Sequence, residues 1–262
     1  MKIHPMAIVH PEAQLAEGVE VQAFSIIGPR VRIGKGTIVG PHCVIEGDTI
    51  IGEGNRFASG AQVGILTQDL KHNPELPGMT RIGNRNVIRE YATITASTMQ
   101  TADQKDRVTS VGDNNLIMTY VHLGHDCHIG NHCIIASYSG LSGHVDVHDY
   151  ANIAGMAALH QETRVGTYAF VGGMSRVTMD CAPYMITAGI PPHVSAPNTV
   201  GMERRGLSAE LRGRVKEMHK IMFRSKLNTS QALAEIERSV DDSPERRCFV
   251  DFVRSSSRGV TK

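Results

Sequence analysis

Three hexads beginning 18 residues apart hold the residues best suited to chemistry: Leu123-Gly124-His125-Asp126-Cys127-His128, Leu141-Ser142-Gly143-His144-Val145-Asp146 and Leu159-His160-Gln161-Glu162-Thr163-Arg164. Each carries a histidine, and His122 immediately precedes the first. Imidazole near neutral pH is the usual general base for drawing a proton from an attacking hydroxyl. A base of this kind works best when a carboxylate orients it, and Asp126 is the adjacent acidic side chain. Acyl transfer also needs a donor at the developing oxyanion. Gly143, 18 residues after His125, leaves a backbone N–H that a substrate can approach. The chain holds no G-x-S-x-G, and Ser142 and Cys127 occupy repeat positions, which favours direct transfer over a covalent nucleophile.

A six-residue repeat must position these groups. From Val9 a large apolar residue, nearly always branched, recurs at Leu15, Val21, Ile27, Ile33, Val39, Ile45, Ile51, Phe57 and Val63, then at Ile82, Ile88 and Ile94, and without a break from Val111 to Val177. Neither a helix nor a strand has this period, and hexapeptide repeats mark a parallel β-helix. In the left-handed type three hexads make one triangular coil, so residues 18 apart stack at roughly 4.8 Å. The fifth place of each hexad is small or β-branched, as in Val19, Ser25, Cys43, Cys127 and Ala151, and reads as a second inward position. Asn55, Asn86 and Asn115 depart from that rule and read as turn residues. The stacking is expected to bring His122, His125, His144 and His160 onto one corner, whereas His128, His132 and His148 fall in other phases or faces and read as solvated.

Two excursions break the count, 19 residues from Val63 to Ile82 and 17 from Ile94 to Val111. Loops thrown out of a rigid solenoid are where binding residues tend to lie. After Val177 the pattern stops. Pro183, Pro191, Pro192 and Pro197 read as a linker, and three helices follow. Ser208 caps the first, Thr229 or Ser230 opens the second, and Ser243-Pro244-Glu245 opens the third. Arg254 to Lys262 reads as a frayed tail. The fold class is thus mainly β, a left-handed parallel β-helix over 1–190 with loops at about 65–81 and 96–110. A linker and C-terminal α-helical domain fill 191–262.

The formal net charge is +1, from 27 Lys and Arg against 26 Asp and Glu, so no global field recruits nucleic acid. No apolar run approaches a membrane span and no signal peptide is evident. The five cysteines contain no C-x-x-C. Cys43, Cys127 and Cys133 sit on the inward fifth place and read as wall residues of a reduced, cytoplasmic protein. Zinc in the trimeric gamma-class carbonic anhydrases, which share the β-helix, is held by histidines of which two are five residues apart. No pair here has that spacing, and no metal is expected.

Met1-Lys2-Ile3-His4-Pro5, Gln68-Asp69-Leu70-Lys71, Ile88-Arg89-Glu90, Gly124-His125-Asp126-Cys127, Gly143-His144-Val145, His160-Gln161, Val171-Gly172-Gly173, Pro183-Tyr184, Arg204-Arg205-Gly206 and Ser257-Arg258-Gly259 carry a resemblance. The chain resembles, over its whole length, the UDP-N-acetylglucosamine 3-O-acyltransferases that open lipid A synthesis. The resemblance implies that a 3-hydroxyacyl chain moves from acyl carrier protein to the glucosamine 3-position of the UDP-sugar. It implies no cofactor beyond the phosphopantetheine on which acyl carrier protein brings the acyl group. By the same resemblance His125 is the base, Asp126 orients it and the Gly143 N–H supports the oxyanion. His122, Asp69, His144 and His160 surround the sugar and acyl head, while Lys71, Gln161, Asn198, Arg204 and Arg205 hold pantetheine, phosphates and uracil. Gly173 matches the position that limits acyl length and leaves room for a longer chain. The family implies a homotrimer with sites between subunits, in the cytoplasm of a Gram-negative-type bacterium.

Several positions depart from the family. Thr93-Ile94-Thr95-Ala96-Ser97-Thr98 stands where it usually has T-I-H-R-G-T, Glu162 replaces a Phe, and Pro191 and Val200 stand where some members have a histidine and a glutamate. A 3-amino acceptor giving an amide therefore stays open beside the 3-hydroxyl. A CoA-dependent sugar acetyltransferase and a trimeric binding scaffold share the fold, but the scaffold gives no reason for the histidine strip.

Overall fold

The computed structural model describes residues 1–101, 103–104 and 107–262; part of the second excursion therefore lies outside the described residues. Short strands, mostly of two residues, form three parallel sheets that wrap into a prism with three faces. The first face starts with Lys2–Ile3, the second with Ile8–Val9 and the third with Gln14–Leu15. Because each coil adds one strand per face, the column Ile45, Val63, Ile94, Leu123, Leu141, Leu159, Val177 runs up the inside of the second face. The outward column beside it is Gln62, Thr93, His122, Gly140, Ala158 and Arg176. The first excursion leaves after Gln62–Ile65 and returns at Met79–Ile82, and the second runs from Thr93–Thr95 to Thr109–Val111.

The core follows from the repeat. The aliphatic first places and the fifth places fill one buried cluster, including Val19, Ile45, Cys43, Cys127, Cys133 and Leu141. The fourth place makes the corner in the left-handed backbone region, with φ of 57° at Asp126, 61° at His144 and 62° at Glu162. That conformation is costly for residues with a β-carbon, and the parallel ladder on either side holds it. The three asparagines are not turn residues. Asn55, Asn86 and Asn115 point inward and form a ladder, with Asn86 N–H donating to Asn55 Oδ1 at 2.9 Å and Asn115 N–H to Asn86 Oδ1 at 2.8 Å. Their amide groups bond the carbonyls of Gly83, Gly112 and Gly130, so buried polar atoms are satisfied in the interior.

The proline-rich segment is not a linker but forms paired strands. Met185–Gly189 pairs in parallel with Phe170–Val171 of the first face and then turns back antiparallel with Pro192–Pro197. Helix α1 (Thr199–Arg204), absent from the sequence reading, precedes α2 (Ala209–Arg224), α3 (Thr229–Ser239) and α4 (Pro244–Arg254). Ser208 and Ser243 cap α2 and α4, while α3 is held by a capping box between Asn228 and Gln231. A second apolar cluster joins Met185, Met202, Met218, Ile236 and Phe249. The C-terminal tail is not frayed. Asp180 N–H donates to Gly259 O at 3.0 Å, Thr261 N–H to Asp180 O at 2.9 Å, and Val260 is buried.

Candidate active site

The hexad that starts at Leu123 turns its corner between the second and third faces, and Leu123 and Cys127 anchor it in the core. His125 and Asp126 are left on the edge. Both excursions lie against this edge, which buries Asp126 and screens its carboxylate. His125 Nδ1 lies 2.8 Å from Asp126 Oδ2, the Thr98 N–H donates to the same oxygen at 3.1 Å, and the Asp126 N–H donates to Thr109 Oγ1 at 2.8 Å. Burial pushes the Asp126 carboxyl upward, but the His125 hydrogen bond, the Thr98 N–H and the charges of His144 and His125 outweigh it, so the carboxyl is held below its usual range. An ionised Asp126 accepts the Nδ1 proton of His125 and leaves Nε2 with the basic lone pair.

His144 stacks edge-on against His125, ring centres 5.1 Å apart, and its Nε2 is 3.7 Å from Asp126 Oδ2. Burial lowers its pKa against the pull of Asp126, with His125 adding to the lowering. His122 Nδ1 meets Thr93 Oγ1 at 2.8 Å, and burial, then the neighbouring His125, lowers its pKa too. The donor atoms of His125, Asp126 and His144 lie within 4.8 Å of one another, close enough to suggest a metal ion. However, two ligands of a tetrahedral zinc keep roughly 3.4 Å between them. The 2.8 Å approach of Nδ1 to Oδ2 is that of a direct hydrogen bond.

The first excursion brings Asp69 over this pair, with Oδ2 4.0 Å from His125 Nε2. Asp69 Oδ1 accepts the Lys71 N–H at 2.9 Å, and the Asp69 N–H donates to Thr67 Oγ1 at 3.2 Å. Between this loop and the second face lies a groove of about 760 Å³, lined among others by Asp69, Lys71, Thr95, His122, His125, Gly140, Gly143, Ala158 and Gln161. Gly143 is required by space, since a β-carbon there would run into Cε1 and Nε2 of His125. Among the described residues its N–H is unbonded, as are those of His125 and Gln161 at the same place on this edge. On the neighbouring edge the third-place N–H groups of Glu53, Asn84, Asp113 and Asn131 are each taken by a side-chain oxygen of the next coil. Gln161 stands in that place above Gly143, and among the described residues nothing accepts the Gly143 N–H. A donor thus stays free on the groove wall beside Nε2.

The other expected residues are distributed differently. His160 occupies a second place rather than a third or fourth, and so it does not join the cluster. It is exposed, with Nδ1 3.1 Å from Gln161 O and 3.3 Å from Arg258 Nη2. Asn198 is buried and serves as the cap of α1. Its Oδ1 accepts the Gly201 N–H at 3.1 Å and its Nδ2 donates to Tyr168 O at 2.8 Å. Arg204 is exposed at the end of α1. Arg205 Nη2 donates to His132 O at 3.3 Å and its guanidinium lies 5.5 Å over Tyr150, on the edge between the third and first faces. Gly173 sits on the remaining edge. Nor are His128, His132 and His148 merely solvated: His128 Nδ1 pairs with Ser110 Oγ at 2.8 Å, His132 stacks on Tyr150 and His148 packs against Phe252. The sequence assigns no role to Thr93, Thr98 or Thr109 and marks Thr95 only as a departure from the family. All four flank or belong to the second excursion, where no period guides the reading.

A hexad β-helix whose edge presents a carboxylate-oriented imidazole to a groove defines a hexapeptide-repeat transferase. Consistent with that class, the family "Bacterial transferase hexapeptide (six repeats)" matches residues 30–64 and 109–143, and "Udp N-acetylglucosamine O-acyltransferase; Domain 2" matches 180–261. The acyl-[acyl-carrier-protein]–UDP-N-acetylglucosamine O-acyltransferase of Syntrophobacter fumaroxidans is 44% identical over 100% of both chains. That of Thermodesulfovibrio yellowstonii is 39% identical over 100% of this chain and 99% of its own. The UDP-N-acetylglucosamine acyltransferase structure from Francisella novicida superposes with a TM-score of 0.94 at 35% identity, covering 99% of this chain and 93% of that one. The Bacteroides fragilis structure gives 0.94 at 38% identity, covering 99% of each. The chain belongs to the acyl-[acyl-carrier-protein]–UDP-N-acetylglucosamine O-acyltransferase family.

Proposed function

We propose that this chain moves a 3-hydroxyacyl group from acyl carrier protein to the 3-position of UDP-N-acetylglucosamine in lipid A biosynthesis, with His125 as general base. The contact of His125 Nδ1 with the buried carboxylate of Asp126, 2.8 Å, carries this reading because it leaves a basic Nε2 at the groove. Nε2 takes the proton of the sugar hydroxyl as its oxygen attacks the thioester carbon. The carbonyl electron pair moves onto oxygen, and the Gly143 N–H donates to it. Collapse of the adduct breaks the C–S bond, and the imidazolium returns its proton to the departing thiolate, giving an ester and free pantetheine thiol. Cys127 takes no part: burial pushes its thiol up to about 12, and Sγ donates to Ser142 O at 3.1 Å. Asp69, Lys71, His122 and Gln161 line the groove where the sugar and acyl head bind. His144 supports the pair through Asp126.

The nucleotide and pantetheine groups are assigned to a seam between copies in a homotrimer. Arg205 lies on a different edge from His125, next in the chain to the exposed Arg204, so a ligand on His125 meets such arginines from a second copy. The edge between the first and second faces offers a stripe of exposed Tyr91, Tyr120, Tyr138, Met156 and Met174 for that neighbour. Gly173 lies on the same edge, and we assign it the limit on acyl length. We place the reaction in the cytoplasm, where acyl carrier protein delivers the donor; among the described residues no helix is long and apolar enough to cross a membrane. A 3-amino acceptor is the second reading. Thr95 lines the groove where the family usually has histidine, and its hydroxyl donates to Leu123 O at 3.2 Å.

Replacing His125 by Ala tests the assignment and should lower kcat by about 10³-fold. Near-wild-type turnover of the folded variant would sink it. Mass spectrometry of products from mixed acyl carrier proteins, acetyl-CoA and both acceptor sugars decides donor and acceptor; preference for acetyl-CoA would overturn the donor.

A further inference from the structure

The two carboxylates nearest His125 belong to different segments, Asp126 to a coil and Asp69, which lines the groove, to the first excursion. A two-residue stretch of the second excursion, Thr98-Met99, touches the surroundings of both. Thr98 N–H donates to Asp126 Oδ2 at 3.1 Å, and Thr98 Oγ1 pairs with Thr67 Oγ1 at 3.2 Å. Thr67 Oγ1 in turn accepts the Asp69 N–H. One residue on, Met99 N–H donates to His72 Nδ1 at 3.1 Å, and Met99 O accepts the Asn73 N–H at 2.8 Å. His72 is itself tied to Asp69, because its N–H donates to Asp69 O at 3.0 Å.

We propose that His72 is a positioning residue for acyl transfer: its Nδ1, accepting the Met99 N–H, locks the Asp69 loop onto the same strut that holds Asp126. The inference rests on the reading of Asp69 as a groove residue that acts on substrate. The requirement it places on position 72 is specific. What the lock needs there is an acceptor at the place of Nδ1, where the Met99 N–H arrives. A phenyl ring, somewhat larger and without a nitrogen, keeps an aromatic side chain there and loses the acceptor. Asparagine does the reverse, since its Oδ1 falls close to where Nδ1 stands, while most of the ring is gone. A carboxylate displaced by even about 1 Å costs up to 10²-fold in rate, so release of the loop should be visible in turnover.

The test uses the full-length protein with 3-hydroxyacyl carrier protein and UDP-N-acetylglucosamine, in the variants His72→Phe, His72→Asn, Asp69→Asn and His72→Phe/Asp69→Asn. His72→Phe should lower kcat/KM by about 10-fold, His72→Asn should recover most of it, and His72→Phe should add little once Asp69 is Asn. Amide exchange at Met99 should be faster in His72→Phe and near wild type in His72→Asn. A ring that matters only for packing gives the opposite order, Phe tolerated and Asn damaging, and overturns the proposal. An impaired Asp69→Asn beside a fully active His72→Phe also overturns it, while leaving Asp69 in place. Wild-type turnover of Asp69→Asn instead removes the role of Asp69 and the proposal with it. Unchanged Met99 exchange in His72→Phe removes the lock itself.

Discussion

Gly143 sits one coil above His125, so close that a β-carbon on it would press on Cε1 and Nε2 of the imidazole. The glycine is there for room, since its backbone does not adopt a left-handed φ. Gly143→Ala keeps the backbone N–H and changes only the space above the ring. It should push Nε2 out of line and lower kcat by about 10²-fold while the fold is retained. Steady-state kinetics with both substrates saturating, beside a thermal melt, check this. An unchanged kcat in a folded variant would mean that His125 does not work from the position it occupies here.

Asp126 carries the second prediction. Asp126→Asn keeps the shape but removes the charge that fixes the His125 tautomer, and should cost about 10⁴-fold in kcat. It also changes the response to acid. The Asp126 carboxyl is held below its usual range in the folded chain, so the unfolded chain binds its proton first. The resulting stability is present above the unfolded value, about 3.9, and is lost as pH falls through the lower folded value. Urea unfolding between pH 5 and 3 should therefore fall less steeply in the variant than in the wild type. Equal slopes would count against the depressed carboxyl.

The scaffold was legible because a period of six survives any single substitution. Leu123, Leu141 and Leu159 announce one another, and the fifth places announce an interior wall. His125, Asp126 and Gly143 could be placed because they belong to that count. The asparagines could not, because a buried amide at a repeat position looks like a turn residue until Asn55, Asn86 and Asn115 are seen bonding in register. His160 shows the limit of counting in eighteens: it lies in the right coil but at the second place, and so beside Arg258 rather than His125. Thr98 left no signal, since what it supplies to Asp126 is a peptide N–H. The hairpin of Met185–Gly189 and Pro192–Pro197 was hidden by its prolines, which lie on the last strand and at its entry, where a missing N–H is tolerated.

His122 and His144 make the third prediction. Burial lowers the pKa of both, with the nearby His125 adding to it. Each is therefore protonated more readily in the unfolded chain than in the folded one. The stability that follows is fully present above the unfolded value, about 6.5, and is lost as pH falls through the lower folded values. The urea midpoint should drop between pH 7.5 and 5.5, and the drop should shrink in His122→Asn/His144→Asn. NMR titration of the two rings supplies the direct check, and midpoints above 6.5 would contradict the burial argument.

Gly173 carries the last prediction. A β-carbon on it would meet Gly155 O at 3.3 Å and Ala154 Cβ at 4.0 Å, so a side chain fits with a small adjustment and extends from the edge that also holds Met156 and Met174. If the acyl tail runs across the second face from His125 over Gly140 and Ala158 to this edge, Gly173→Met fills its end. Each methylene denied burial forfeits about 0.8 kcal/mol, or roughly 4-fold in kcat/KM. A tail that loses four methylenes should fall by about 200-fold against one that ends short of the methionine. Competition among 3-hydroxyacyl carrier proteins of different lengths, read by product mass, measures the shift. The preferred chain should shorten while kcat on the shorter donor stays near wild type, because the methionine is remote from His125. An unchanged length profile would place the end of the tail elsewhere than at residue 173.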